Sequence, residues 1–97
     1  MKYPAIQNFI NGKFVPASVA RTLNVVSPLD GNLLSTVPMS GASDLDQAVQ
    51  AAQAAFPIWS KTPIKERVQV FFRYKALLEK NLKELAELCS EENGKTY

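Results

Sequence analysis

Histidine is absent from this sequence, and there is a single cysteine, Cys89. Without histidine the commonest general base and the commonest metal ligand are both missing, and Cys89 has no imidazole to activate it. One cysteine cannot close an internal disulfide, which fits a reducing compartment. No pair of histidines or cysteines has metal-ligand spacing. No apolar run approaches the ~20 residues of a membrane span. The start, Met1-Lys2-Tyr3-Pro4-Ala5, has neither a signal-peptide core nor an Arg-rich amphipathic presequence. The expected location is the cytoplasm, or the mitochondrial matrix if the source is eukaryotic. Net charge is only +2, from 11 basic and 9 acidic residues, too little to argue for nucleic acid or an anionic membrane as a partner.

What is present is an ordinary globular composition, 46% hydrophobic and 21% charged over 97 residues. That length suits one small unit with a modest core. The strongest periodic signal lies between Pro63 and Glu92. Ile64, Val68, Phe71, Leu78, Leu82, Leu85 and Cys89 recur at steps of three and four residues, with Lys75 the one miss. The pattern predicts one helix of about 45 Å, with Thr62 as N-cap, Pro63 at the first helical position and Asn93-Gly94 closing the end. Val70, Phe72, Tyr74 and Leu77 lie off that stripe, so this helix needs partners on more than one side.

The preceding residues predict two short hairpins and a first helix. Met1 to Gln7 reads as an arm. Phe9 to Val15 contains Asn11-Gly12, the signature of a type I′ turn. Thr22–Val26 and Leu33–Val37 read as strands joined by Ser27-Pro28-Leu29-Asp30-Gly31-Asn32, with Pro38 as the stop. Ser43 with Asp46 suggests a capping box for a helix whose apolar face is Leu45, Ala48, Val49, Ala52 and Ala55 or Phe56. Pro57 is expected to end or kink it, with Ile58 and Trp59 as apolar plugs. There is no internal repeat or linker, so residues 1–97 are expected to form one unit without an internal boundary.

Few residues invite a chemical reading. Cys89 occupies the last position of the apolar stripe and is expected to be a small buried hydrophobe. Gly94-Lys95-Thr96 resembles the tail of a phosphate loop, but Cys89 stands where the first glycine should be, and the helix precedes the lysine instead of following it. The adjacent Glu91 and Glu92 point in different directions on a helix and make a poor acid/base pair. The basic residues of the long helix alternate with glutamates. Glu79–Lys83 is a favourable pair, and Lys80–Glu84 and Lys83–Glu87 are reversed ones, as on a solvated face. No catalytic, cofactor-binding or metal-binding side chain is expected.

Three stretches together resemble the N-terminal segment of the aldehyde dehydrogenase superfamily. They are Phe9-Ile10-Asn11-Gly12-Lys13-Phe14-Val15, Ser27 to Pro38, and Ala54-Ala55-Phe56-Pro57-Ile58-Trp59-Ser60. Ser27-Pro28 stands where the family typically has Asn-Pro. Arg67 to Leu88, with Val70-Phe71-Phe72-Arg73-Tyr74 and Asn81 to Ala86, and Glu92-Asn93-Gly94-Lys95-Thr96 look most like the methylmalonate-semialdehyde dehydrogenase branch. The resemblance covers about Gln7 to Tyr97.

It implies an α+β fragment, two hairpins followed by two helices, that forms part of a Rossmann-like α/β cofactor domain. It implies an enzyme several times longer that oxidises malonate or methylmalonate semialdehyde with NAD and passes the acyl group to coenzyme A. The nucleotide strands, the catalytic cysteine and the glutamate base would lie downstream, and Cys89 does not match the catalytic cysteine. Some family members bind a monovalent cation partly through backbone carbonyls just before the Asn-Pro, where this chain has Val25 and Val26. The segment itself is then expected to be inactive, with no cofactor of its own. Its partner is the remainder of the enzyme, or a second copy meeting it through the apolar face of helix 63–92. The alternative is a freestanding, non-enzymatic interaction module. If Val70, Phe72, Tyr74 and Leu77 faced water, each would forgo ~1.5–3 kcal/mol of burial, together comparable to the ~5–15 kcal/mol net stability of a domain.

Overall fold

A computed structural model describes residues 1–97. The order is β1 (Asn8–Ile10), β2 (Lys13–Val15), β3 (Thr22–Val26), β4 (Leu33–Pro38), α1 (Ala42–Lys61), α2 (Ile64–Lys80) and α3 (Leu82–Asn93). β1 pairs with β2 and β3 with β4, both antiparallel, in two separate two-stranded sheets.

The first hairpin turns on Asn11 and Gly12, at φ 53° and 77°, the positive pair that a type I′ turn requires. In the second, the Ser27 amide donates to the Asn32 carbonyl and the Gly31 amide to the Ser27 carbonyl, each at 2.8 Å. Ser27 Oγ accepts from the Leu29 amide at 3.1 Å, the bond an asparagine side chain could make at this point. Serine can therefore replace the expected asparagine without opening the turn. Opposite Val25 and Val26 the register slips, from Val25↔Ser35 to Val26↔Leu33, leaving Leu34 as an extra residue on β4.

The arm before β1 is fastened to β4. The Tyr3 amide donates to the Leu34 carbonyl at 2.8 Å and the Ile6 amide to the Thr36 carbonyl at 2.9 Å. The Ser35 hydroxyl donates to the Pro4 carbonyl at 2.7 Å. The bulge residue Leu34 and its neighbour Ser35 are buried, and Leu34, 6% exposed, is the one buried apolar residue of the chain.

The helices depart from the sequence expectation in four places. The helix expected over 63–92 is two helices, so there are three in all, because Asn81 leaves helical geometry at φ −106°, ψ 18°. Its side-chain amide donates to the Leu77 carbonyl at 2.8 Å and shares that oxygen with its own backbone amide at 3.1 Å. The interruption is one residue long, since the Leu85 amide donates back to the Asn81 carbonyl at 3.0 Å. Pro63 is the N-cap of α2, and Thr62 closes α1 by donating from Oγ1 to the Ile58 carbonyl at 2.9 Å.

The first helix begins at Ala42, and its cap lies two residues before the expected Ser43. Gly41 is its N-cap, and Asp44, not Asp46, reaches back to the Gly41 amide at 3.0 Å. Asp44 wins because Ser18 supplies it with two further donors. Pro57 lies inside α1 and does not end it. The carbonyl deprived of a donor belongs to Gln53, an exposed residue that water can satisfy. Ile58 and Trp59 accordingly sit on the helix surface, not as plugs. At the far end Gly94 closes α3 in the left-handed conformation, φ 69°, as expected.

These elements make a layer and not a core. The chain measures 48 × 35 × 16 Å with a radius of gyration of 17.1 Å, against about 13 Å for a compact chain of this length. Its accessible surface is 8011 Å², where a folded monomer of this mass exposes about 5,500 Å².

Candidate functional site: an uncovered apolar layer

The excess surface is apolar and patterned. On α2, Ile64, Val68, Phe71 and Leu78 form one stripe, and Val70, Tyr74 and Leu77, at i, i+4 and i+7, form a second. Phe71, Phe72, Tyr74 and Leu77 are 63%, 60%, 58% and 57% exposed. Leu82 and Leu85 of α3 extend the first stripe and are likewise exposed. On α1, Leu45, Val49 and Phe56 repeat the arrangement. The hairpin adds a tilted Phe9–Phe14 pair with ring centroids 4.9 Å apart, both rings open to solvent. Monomeric proteins rarely leave this much contiguous apolar surface uncovered, and such surface marks an interface.

Cys89 is exposed in this chain, contrary to its expected burial: no other element of residues 1–97 covers it. It stands at the end of the apolar stripe, on the same face. Gly94-Lys95-Thr96 follows α3 as its cap, with the Gly94 amide on the Ser90 carbonyl at 2.9 Å, so these amides are not arranged as a phosphate cradle. The Glu79–Lys83 and Lys80–Glu84 pairs straddle the break at Asn81 and do not form. The two ion pairs of the chain are Lys75–Glu79 at 3.7 Å and Lys2–Glu91 at 2.5 Å. No group of three or more His, Cys, Asp or Glu could hold a metal ion. Val25 and Val26 lie in β3 at the register slip.

Two carboxylates are held by donors. Asp44 accepts from the Ser18 amide on Oδ1 and the Ser18 hydroxyl on Oδ2, each at 2.9 Å, besides the Gly41 amide. The Gly41 amide, and next the Ser18 amide, hold its carboxyl below the usual carboxylate range. Glu91 pairs with Lys2 and is lowered by it, while Glu91 raises both Lys2 and the Tyr3 phenol. The sequence carried a signal for the first carboxylate, an Asp three residues after Gly41. It carried none for the second, whose partners lie 89 positions apart.

A dinucleotide site built on a strand–glycine–helix junction needs free amides at the helix N-terminus. At the one such junction here, β4–Gly41–α1, the Asp44 carboxylate takes the Gly41 amide and puts a negative charge beside the helix N-terminus. No helix is long and apolar enough to cross a membrane.

Comparison with known proteins places this layer. The model of the family described as "Aldehyde dehydrogenase family" matches residues 14–97, and the chain belongs to that family. It is 45% identical over 92 residues to malonate-semialdehyde dehydrogenase of Halalkalibacterium halodurans, covering 95% of this chain and 19% of that protein. Its fold matches a crystal structure assigned as methylmalonate-semialdehyde dehydrogenase of Sinorhizobium meliloti, complexed with NAD. The TM-score there is 0.87 at 38% identity, over 95% of this chain and 18% of the other. It also matches PnpE in complex with NAD, with TM-score 0.84, 38% identity, and 94% and 18% coverage. The chain spans about a fifth of the length of the curated relatives it matches.

Proposed function

We propose that residues 1–97 are the N-terminal part of the NAD-binding domain of an aldehyde dehydrogenase. The whole enzyme would oxidise malonate or methylmalonate semialdehyde with NAD, and the acyl product would leave as a coenzyme A thioester. The names of the relatives support the substrate class. The observation that carries the role of this segment is the apolar layer: two stripes on α2, continued on α3, patterned for burial and left open. Its function in this reading is structural. It presents α2 and α3 to the remainder of the enzyme, which supplies the catalytic residues and the cofactor site.

The test has two arms. A full-length protein carrying this segment should sustain NADH formation from malonate semialdehyde beyond a single turnover only when coenzyme A is present, and the 97-residue chain alone should form none. Turnover of unrelated aldehydes in place of the semialdehydes would overturn the substrate assignment. NADH formation by the 97-residue chain would overturn the structural role.

A second reading rests on the same open face: a module that pairs with its own copy and has no catalytic context. Sedimentation separates the two. Self-association of the 97-residue chain through α2, abolished by Leu77→Lys while a full-length protein is unaffected by that change, would favour the module.

A further inference from the structure

The arm, the β3–β4 hairpin and the end of α3 meet at one place. The arm's backbone bonds to β4 through Tyr3 and Ile6, and its Pro4 carbonyl is held by Ser35. On its other side the arm reaches α3 through Lys2 and Glu91. Gly94, the cap of α3, stands over the β3–β4 turn, where a Cβ would lie 3.3 Å from Pro28 Cγ. Between arm, sheet and helix lies a mostly apolar cleft of about 200 Å³, with Ile6, Val25, Leu34 and Leu88 among its walls and Glu91 at its rim.

We propose that the arm is a strap that fixes the C-terminal half of α3 to the β3–β4 hairpin, buckled at Glu91 by Lys2. The arm is suited to this because it touches both bodies. One side completes the edge of β4 as a partial third strand, which also covers backbone groups that an open edge would expose. The other side ends in a charge-assisted bond whose carboxylate is mostly shielded, 22% exposed against 58% for Lys2. Unbuckling would free the arm, open the cleft and loosen α3, while the β1–β2 hairpin and the body of α1, which do not contact Glu91, stay as they are.

The groups that face Glu91 set the direction of its response to pH. Lys2 and Tyr3 come from the arm and Asp30 from the turn, and Glu87 and Glu92 are its neighbours on α3. Lys2, first, and Tyr3 hold Glu91 ionised to lower pH; the loss of solvent around the carboxylate and, more weakly, Asp30 oppose them. A lowered carboxyl stabilises the closed strap above its unfolded pKa and loses that contribution as pH falls through the folded value. The strap therefore opens on the acid side.

Hydrogen exchange in a full-length protein carrying this segment tests the proposal. Protection of the Tyr3 and Ile6 amides should fall about fivefold in Glu91→Gln, the size of effect a partly exposed pair supports. It should fall likewise in Ser35→Ala, and in the unaltered protein on acidification through the Glu91 pKa. The amides of β1 and β2 should not change. Unchanged protection at Tyr3 and Ile6 in Glu91→Gln and in acid would overturn the proposal. So would an equal loss across β1, β2 and α1, which would mark general destabilisation. If Glu91→Gln does not fold, the acid titration of the unaltered protein decides alone.

Discussion

Asp44 on the first turn of α1 grips Ser18 in the loop before β3 with both carboxylate oxygens, each at 2.9 Å. The same carboxylate receives the Gly41 amide. One side chain thus caps the helix and ties the loop between the hairpins to it. Asp44→Asn keeps the shape but turns one acceptor oxygen into a donor facing two donors, and should lower the melting temperature by several degrees. The Gly41 and Ser18 amides hold the Asp44 pKa down, so its contribution is full above the ordinary carboxylate pKa of about 3.9 and vanishes as pH falls through the lowered value. The Asn variant should flatten that acid limb of a stability–pH curve. A curve of unchanged shape would contradict the assignment.

At the break between α2 and α3 the Asn81 side chain places a second donor on the Leu77 carbonyl. Asn81→Ala removes that competitor and supplies the residue of highest helix propensity, a gain of about 0.5 kcal/mol. Circular dichroism should show more helix and a higher unfolding midpoint. Less helix would mean that the break is imposed by packing and not by the asparagine.

The sequence made some elements legible and hid others for physical reasons. Asn11-Gly12, Asp30-Gly31 and Asn93-Gly94 announced their turns because positive φ restricts residue choice, and all three appear in place. The apolar steps of 64 to 85 announced a helical face, and the off-stripe Val70, Phe72, Tyr74 and Leu77 announced that it lacked cover. Hydrophobic spacing could not reveal the break at Asn81, a one-residue departure of the backbone that leaves the stripe undisturbed. Pro57 misled because a proline in an exposed helix can leave its orphaned carbonyl to water. Cys89 misled because burial depends on residues outside the stretch that carries it. The site itself was legible only as a surplus of apolar surface on the long helix.

Gly94 closes α3 at φ 69°, and a methyl group there would approach Pro28 Cγ to 3.3 Å. Gly94→Ala is strained by its backbone and crowded by the turn. It should cost about 1–2 kcal/mol in urea denaturation, with Gly94→Asn milder because asparagine tolerates the left-handed region. A neutral alanine would show that the cap relaxes away from Pro28.

Leu77 lies on the second stripe of α2, open to solvent in this chain. On a permanently solvated face Leu77→Lys would change stability by no more than about 0.5 kcal/mol. Under a covering layer it buries a charge and forfeits apolar contact, and should cost a full-length protein more than about 2 kcal/mol. Equal, small effects in both settings would remove α2 from the interface.

The most direct test of the covered layer is the alkylation rate of Cys89, followed by mass spectrometry of its own peptide. The thiol is exposed in residues 1–97 and stands at the end of the apolar stripe. In a native full-length protein carrying this segment it should react far more slowly than in the same protein unfolded in urea, because the remainder of the enzyme lies over that stripe. Equal rates in the native and unfolded protein would show that the stripe faces water throughout and would contradict the account.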